Sequence, residues 1–388
     1  MKKILFGITS LTIGGAERVL VDLANRLKDD YDITILCIYG NGELEKELDK
    51  KIKIITLREL KYSDYNRIDH FMTSLDLLFR IKPPKNYDIY VSFLEGPITR
   101  LFAKKIGYNK CKKNENKENE KNKTKKIVWI HNDISKVFGS GIKAKIKKYF
   151  DKNIYKKYDK LIFVSEENKE DFNNFYKKSI SEEKEEVIRN YLDYEKVIKK
   201  SEEKVKIPFD ENSINLVSVC RLVPQKAIDR FIKVHKNLEN LGMHSKVYII
   251  GDGPMRYALQ KQIDKAGETD KFILLGQKEN PYPYIKNADY FCLLSYYEGY
   301  GMVLDEAKIL NKKIIITDTA AKESLKKYEK SYVLNNNEKD ITEGLNKILS
   351  QSLNETDEIN KKQITTEELL KRAKEYYDSI IEKIKENF

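Results

Sequence analysis

Residues 295–306 read "SYYEGYGMVLDE", and the stretch sets two carboxylates, Glu298 and Glu306, eight residues apart around a glycine turn. Carboxylates can move protons, hold cations or accept hydrogen bonds from sugar hydroxyls. The turn Gly299-Tyr300-Gly301 leads into a helix-like run, "MVLDEAKIL", so the amides near Tyr300, Met302 and Val303 are free to meet an anion. Two acids beside an anion repel it unless cations are supplied. Arg221, ending "INLVSVCRL", and Lys226, in "VPQK", supply them: a guanidinium can grip phosphate oxygens in pairs while an ammonium adds a point charge. In "GDGP", Gly251 and Gly253 would let backbone approach a flat ligand closely. A nucleoside diphosphate bearing a sugar fits the set. Glu306 would accept the vicinal hydroxyls of its ribose, and Glu298 hydroxyls of a sugar beyond the phosphates. The bland alternative makes Glu306 a solvated first-turn acid favoured by the helix dipole.

Such residues must be positioned by strands, because ligands of open α/β sheets bind beyond the strands' carboxyl ends. The strands are legible. "KILFGIT", "DITILCIY", "KIKIITL", "DIYVSFL", "KIVWIHN" and "KLIFVSE" predict a first sheet, and "INLVSVCRL", "KVYIIGDG", "KFILLGQ", "YFCLLSY" and "KKIIITDT" a second. Their unbroken Ile/Val/Leu character predicts parallel sheets covered on both faces by helices such as "GGAERVLVDLANRL". The fold class expected is α/β, two successive Rossmann-like doubly wound domains. The boundaries expected are a first domain over 1–198, a second over 208–364 and a terminal helix over 365–388, with a low-complexity surface insertion at 109–126.

Two further positions fall at the same kind of edge. Gly14 and Gly15, in "SLTIGGAERVL", allow a tight turn at a helix start, where backbone could meet phosphate or the reacting sugar. Glu17 and Arg18 read equally well as surface residues of that first turn. His131 follows the strand in "IVWIHND", again at the carboxyl edge, and could equally be a buried histidine held by Asp133.

Composition narrows the classes. The chain has 388 residues, too long for one ordinary domain, and no apolar run of about eighteen residues that could cross a membrane. Cys37, Cys111, Cys220 and Cys292 form no CxxC pair and read as reduced residues of a cytoplasmic protein. The net charge of +12 admits phosphorylated ligands, nucleic acid or an anionic membrane. No helix-turn-helix, zinc or base-stacking signature accompanies it, so no nucleic-acid partner is expected.

The ordered set "GGAER", "CRLVPQK", "GDGP" and "EGYGMVLDE" resembles family 4 of the retaining, nucleotide-sugar-dependent glycosyltransferases. The resemblance runs over nearly the whole chain except 109–126. It implies the GT-B arrangement, two Rossmann-like domains facing across a cleft with the terminal helix returning to the first. It also implies that Glu298 contacts the donor sugar, Glu306 the ribose and the Arg221/Lys226 pair the diphosphate. His131 would lie near the donor sugar's primary hydroxyl. The family often has glycine where Cys220 and Ala227 stand, and a glycine pair at Ala320-Ala321; each substitution adds a β-carbon near the donor site.

The implied reaction is hexosyl transfer with retention, most often from a UDP-sugar, to a glycan or lipid-linked acceptor. No DxD flanked by apolar residues is present, so a metal-independent transferase with no cofactor is expected. A glycosidase would need no phosphate clamp. The non-enzyme alternative is an inactive subunit binding nucleotide-sugar or glycan. Finally, residues 142–158, "IKAKIKKYFDKNIYKKY", carry seven lysines against one aspartate and predict a helix that either packs on its own sheet or rests peripherally on an anionic membrane.

Overall fold

The computed structural model describes residues 1–104, 124–132, 134–135, 151–205, 209–210, 212–354 and 364–388. Two compact units result, Met1–Asp193 with Asp378–Phe388, and Tyr194–Tyr377.

In the first unit, β1 (Lys3–Ile8), β2 (Asp32–Tyr39), β3 (Lys53–Arg58), β4 (Ile89–Ser92), β5 (Lys125–Ile130), β6 (Lys160–Phe163) and β7 (Glu185–Val187) form one sheet. The order is β3-β2-β1-β4-β5-β6-β7, with every pairing parallel. Helix α1 (Gly15–Leu27) follows β1 and buries Val19, Leu20, Leu23 and Leu27. Helix α2 (Arg67–Phe79) begins at a capping box, in which the Asn66 Oδ1 accepts from the amides of Ile68 (2.8 Å) and Asp69 (3.0 Å). Helix α3 (Pro97–Phe102) starts on a proline after Gly96, whose φ of 125° only glycine adopts readily. The chain's last residues close this unit: Lys2 Nζ donates to the Phe388 carbonyl (3.0 Å), and the Phe388 ring meets Phe6 edge-on at 6.0 Å.

The second unit repeats the pattern. Strands β8 (Ile214–Val219), β9 (Ser245–Ile250), β10 (Phe272–Gly276), β11 (Tyr290–Leu293), β12 (Lys313–Thr317) and β13 (Ser331–Leu334) run parallel in the order β10-β9-β8-β11-β12-β13. Helices Ile228–Asn240, Arg256–Ala266 and Glu338–Asn354 pack together, and Tyr194–Ser201, Tyr282–Asn287 and Met302–Ile309 form a second group. Strand order therefore reverses between β1 and β4 and again between β8 and β11. Those two reversals are where an open α/β sheet opens a crevice at its carboxyl ends.

Two expectations change. Strands β7 and β13 were not legible, because three residues of "EEV" and four of "SYVL" at sheet edges carry little apolar pattern. Lys125 and Lys126 belong to β5 rather than to the insertion, since their backbone pairs with Ile89 and Tyr90 of β4. The rest of that segment through residue 123 lies outside the described residues, as do Cys111 and Asp133. So do residues 142–150 of the lysine-rich stretch. Its remainder packs inward: Asp151 takes Arg100 through two hydrogen bonds (3.1 and 3.0 Å), and Tyr158 donates to the Thr99 carbonyl (2.6 Å). Lys156 and Lys157 face solvent there.

Candidate active site

The second unit gathers the charged set at its strand-order reversal. β8 ends in the loop carrying Arg221, then turns through Pro224–Lys226; β11 ends in the loop carrying Glu298. The two loops are tied together. Tyr296 N donates to the Gln225 carbonyl (2.9 Å) and Gln225 Nε2 to the Tyr297 carbonyl (2.9 Å). Lys226 Nζ makes an ion pair with Glu298 Oε1, and Ser295 Oγ donates to the same oxygen (2.7 Å). Lys226, expected on the diphosphate, and Glu298, expected on a sugar beyond it, thus hold each other directly. Arg221 is exposed and has no ion pair among the described residues.

Residues that sequence reasoning missed fix the acid's loop. Buried Arg230 donates to the Leu294 carbonyl (2.6 Å) and lies 4.3 Å from the Tyr296 ring centre. Thr317 Oγ1 donates to the Ser295 carbonyl (2.6 Å), and Asn336 Nδ2 to that of Tyr296 (2.8 Å). A buried charge satisfied by carbonyls rigidifies the loop it serves. The available signal was Arg230's place on the apolar face of "AIDRFIKV", where an arginine needs polar partners.

The glycines divide into two kinds. A β-carbon on Gly251, whose φ is +135°, would sit 1.9 Å from the Cys220 carbonyl oxygen, and one on Gly253 would sit 2.5 Å from that of Leu222. Backbone bonds lock the same loops, Cys220 N to Ile250 O (2.9 Å) and Leu222 N to Asp252 O (3.0 Å). These two glycines are therefore required by the neighbouring loop. Gly299 differs: a β-carbon there meets no atom within 4 Å. Gly301 caps the helix Met302–Ile309 at φ 70°, with Ala321 Cβ 3.4 Å from its would-be β-carbon. Tyr300, Met302 and Val303 are half-buried at that helix start. Glu306, half-buried on the second turn, accepts from Tyr282 OH (3.2 Å). Ala227 is fully buried at φ 52°, the left-handed region that favours glycine.

The reversal in the first unit is built differently. Gly14 opens α1, and the carboxylate of Glu17 folds back to 2.2 Å from where a Gly14 β-carbon would be; burial raises the Glu17 carboxyl's pKa. Gly15 is the first residue of α1. The helix start is covered by its own acidic side chain. Arg18 pairs with Glu47, on the surface side. His131 follows β5, its ring 4.7 Å from Phe93 and stacked on Trp129 at 6.1 Å. Its Nε2 is buried with no hydrogen-bond partner among the described residues, and burial pushes its pKa from 6.5 down to about 3, so the ring is neutral. The backbone beneath it is held by Glu95, which follows β4. One Glu95 oxygen accepts from the amides of His131 (2.6 Å) and Asn132 (2.9 Å), the other from Asn132 Nδ2 (2.9 Å). Burial raises the Glu95 pKa against the pull of those donors. Sequence reasoning missed Glu95, although "SFLEGP" places an acid directly after a strand.

The described cysteines, Cys37, Cys220 and Cys292, are buried and free, and burial pushes the Cys220 thiol up to about 11. Among the described residues no helix is long and apolar enough to cross a membrane, and no cluster of three metal-ligating side chains occurs.

Two parallel sheets of Rossmann order, each with polar groups at its reversal, define the fold class, and comparison with known proteins gives the glycosyltransferase. The model of glycosyl transferases group 1 matches residues 199–366, and that of glycosyltransferase family 4 matches residues 13–196. This chain belongs to glycosyltransferase family 4. It is 28% identical over 313 residues to the Campylobacter jejuni GalNAc-alpha-(1->4)-GalNAc-alpha-(1->3)-diNAcBac-PP-undecaprenol alpha-1,4-N-acetyl-D-galactosaminyltransferase, covering 79% of this chain and 77% of that one. It is 28% identical over 200 residues to the uncharacterized glycosyltransferase MJ1059 of Methanocaldococcus jannaschii, 51% of this chain but only 49% of that protein. The crystal structure of Anabaena HepE with UDP and glucose matches the fold at a TM-score of 0.69 with 16% identity, over 100% of this chain and 99% of that one.

Proposed function

We propose that the chain is a retaining hexosyltransferase that moves a sugar from a UDP-sugar to a hydroxyl of a lipid-linked or cell-surface glycan precursor. The observation that carries the reading is the Lys226–Glu298 pair, set beside Arg221 at the β8/β11 reversal. The donor is the second unit's ligand and the acceptor the first's. On donor binding, Lys226 passes from Glu298 to the diphosphate, where it joins Arg221 and the amides around Tyr300, Met302 and Val303. Glu298 is then released to accept hydroxyls of the sugar, while Glu306 takes the ribose. Gly14 and Gly15 allow the tight turn at the first unit's helix start, where backbone amides can meet phosphate or a sugar hydroxyl. The neutral imidazole of His131 offers Nε2 to the sugar's hydroxymethyl region.

Chemistry follows from charge. The bond from the anomeric carbon to phosphate oxygen breaks, and the acceptor oxygen bonds to the same face. The acceptor's proton goes to the departing phosphate oxygen. No side chain need be the nucleophile, and the two cations stabilise the leaving diphosphate by electrostatic preorganisation. The same cations stand where a metal would otherwise serve, which supports a metal-independent reaction; turnover unchanged by a chelator tests that part. A UDP donor is supported by the UDP complex of the HepE fold relative. The lipid-linked acceptor is supported by the undecaprenol-linked acceptor of the Campylobacter relative, and with it a cytoplasmic protein at the inner membrane face.

Calorimetry with UDP tests the roles. Glu306→Ala should weaken UDP about tenfold, the loss of a charge-assisted hydrogen-bond pair, while Glu298→Ala, which frees Lys226, should bind UDP at least as tightly as wild type yet lose turnover. The reverse pattern would mean the two acids exchange roles. Product anomeric configuration, read by NMR, decides retention.

A further inference from the structure

Past the carboxyl ends of β2 and β3, four aromatic rings meet. Tyr39, the last residue of β2, is buried, and its hydroxyl shares a hydrogen bond with His70 Nδ1 on α2 (2.7 Å). The Tyr62 ring, on the short turn Tyr62–Asp64 after β3, lies 4.3 Å from the His70 ring at 30° and 5.2 Å from that of Tyr39 at 87°. Tyr39 and His70 are themselves 5.2 Å apart. Centroids so spaced put His70 and Tyr39 on one side of Tyr62, where they cannot sandwich it. The opposite face is left to solvent, and Tyr62 is 49% exposed. Tyr65 backs the group, 5.2 Å from Tyr39. A ring held from one side only is ordered before any ligand arrives.

An ion pair edges that ring. Lys61 Nζ, from the residue before Tyr62, donates to Glu43 Oε1 (2.7 Å), and both side chains are partly exposed. Lys61 first, and the Ile13 amide less strongly, hold the Glu43 carboxyl below its ordinary range. Glu43 thus reaches the loop that enters α1 at Gly14. Two further bonds fasten this loop to the same region: Tyr39 N donates to the Thr9 carbonyl (2.9 Å) and Leu44 N to that of Leu11 (2.9 Å). Among the described residues, Tyr62 OH and His70 Nε2 have no hydrogen-bond partner.

The chemistry selects a pyranose. The C–H groups on one side of such a ring carry slight positive charge that an aromatic face attracts, and its rim hydroxyls need donors and acceptors together. Lys61 and Glu43 offer both, and as a pair they carry no net charge to recruit a phosphate. We propose that the open face of Tyr62, with Lys61 and Glu43 at its edge, is a subsite for a pyranose ring of the acceptor glycan. The inference rests on the reading of a glycan acceptor and adds which residues of the first unit hold it.

The test binds sugars to the full chain without donor, so it reports on the subsite whether or not sugar is transferred. The probes are the methyl α- and β-glycosides of glucose, galactose, N-acetylglucosamine and N-acetylgalactosamine. Saturation-transfer NMR should show at least one of them bound, with the strongest transfer to C–H protons on one side of the pyranose. Tyr62→Phe should keep that affinity. Tyr62→Ala and Tyr62→Leu should each weaken it about tenfold, as loss of a stacking ring does, with the wild-type circular dichroism melt; leucine keeps apolar area but no ring face. In turnover, Tyr62→Ala should raise the acceptor KM about tenfold and the donor KM by less than about twofold. No glycoside bound, or binding that Tyr62→Ala or Tyr62→Leu leaves intact, overturns the proposal. So does displacement of the glycoside by uridine, which would make the ring a base platform. Binding lost in Tyr62→Ala by a chain that transfers no sugar would uphold the subsite and sink the transferase reading.

Discussion

The two strand-order reversals of this molecule solve one problem, holding polar side chains at a buried edge, by opposite means. At β8/β11 the charges are kept and paired: Lys226 with Glu298, Arg230 with backbone carbonyls. At β1/β4 charge is removed or spent locally. His131 is neutral by desolvation, Glu95 is consumed by two amides and a side-chain amide, and Glu17 covers the start of α1. A diphosphate needs the first kind of edge and a neutral hydroxyl the second. The same strand order at the reversal thus carries two different kinds of polar edge, and the difference lies in six residues: Lys226, Glu298 and Arg230 at one, His131, Glu95 and Glu17 at the other.

The largest effect should come from breaking the interlock that makes the charged edge rigid. Gly251→Ala places a methyl group against the Cys220 carbonyl at a backbone angle alanine resists, costing about 4 kcal/mol from strain and overpacking together. Gly299→Ala, with open space around it, should stay within about 0.5 kcal/mol. The unfolding transition followed by circular dichroism separates them; equal shifts would erase the distinction between the two kinds of glycine.

Next come the cations. Arg221→Ala and Lys226→Ala should each lower kcat/KM by about a hundredfold or more, roughly 3 kcal/mol of transition-state stabilisation. Lys226→Ala also strands buried Glu298, so Lys226→Ala/Glu298→Gln is the control for stability. Losses under about tenfold for both cations would reduce the charged edge to a structural ion pair.

The neutral edge is sharpened by pH. A histidine whose folded pKa is depressed contributes its full stability above 6.5, the value it has when unfolded, because neither state then binds the proton. As pH falls below 6.5 the unfolded chain takes up that proton and the folded one does not, so stability declines until about 3. Urea unfolding across this window should show a shallower decline for His131→Gln. An unchanged slope would mean that His131 titrates as an ordinary exposed histidine. The smallest effect is Ala227→Gly, which relieves a left-handed alanine at φ 52° and should stabilise the second unit by about 1 kcal/mol.

Periodicity made both sheets legible where strands are buried on two faces, as in "DITILCIY" and "KKIIITDT". It lost β7 and β13, whose short edge strands owe their conformation to a neighbour already in place. The charged set was legible because Arg221, Lys226, Glu298 and Glu306 follow strands or open a helix in the linear text. Their mutual arrangement was not: nothing in "VPQK" announces that its lysine pairs with an acid seventy-two residues on. Gly251 and Gly253 were legible as close approaches, but the approaching partner is the Cys220–Leu222 backbone, a contact only the fold reveals. Glu95 escaped because its partners are amides, which no sequence pattern marks.

The Lys226–Glu298 pair has a consequence for ionic strength. In the free chain Lys226 already carries an internal counterion, while Arg221, exposed, draws its own from solution. On the proposed reading, in which Lys226 and Arg221 both meet the diphosphate, donor capture at Lys226 would exchange one bound anion for another and release nothing to the bulk. Only Arg221 would give up a solvent ion. Nucleotide affinity should then fall with salt about as steeply as for a one-cation site, and Glu298→Gln should steepen that dependence.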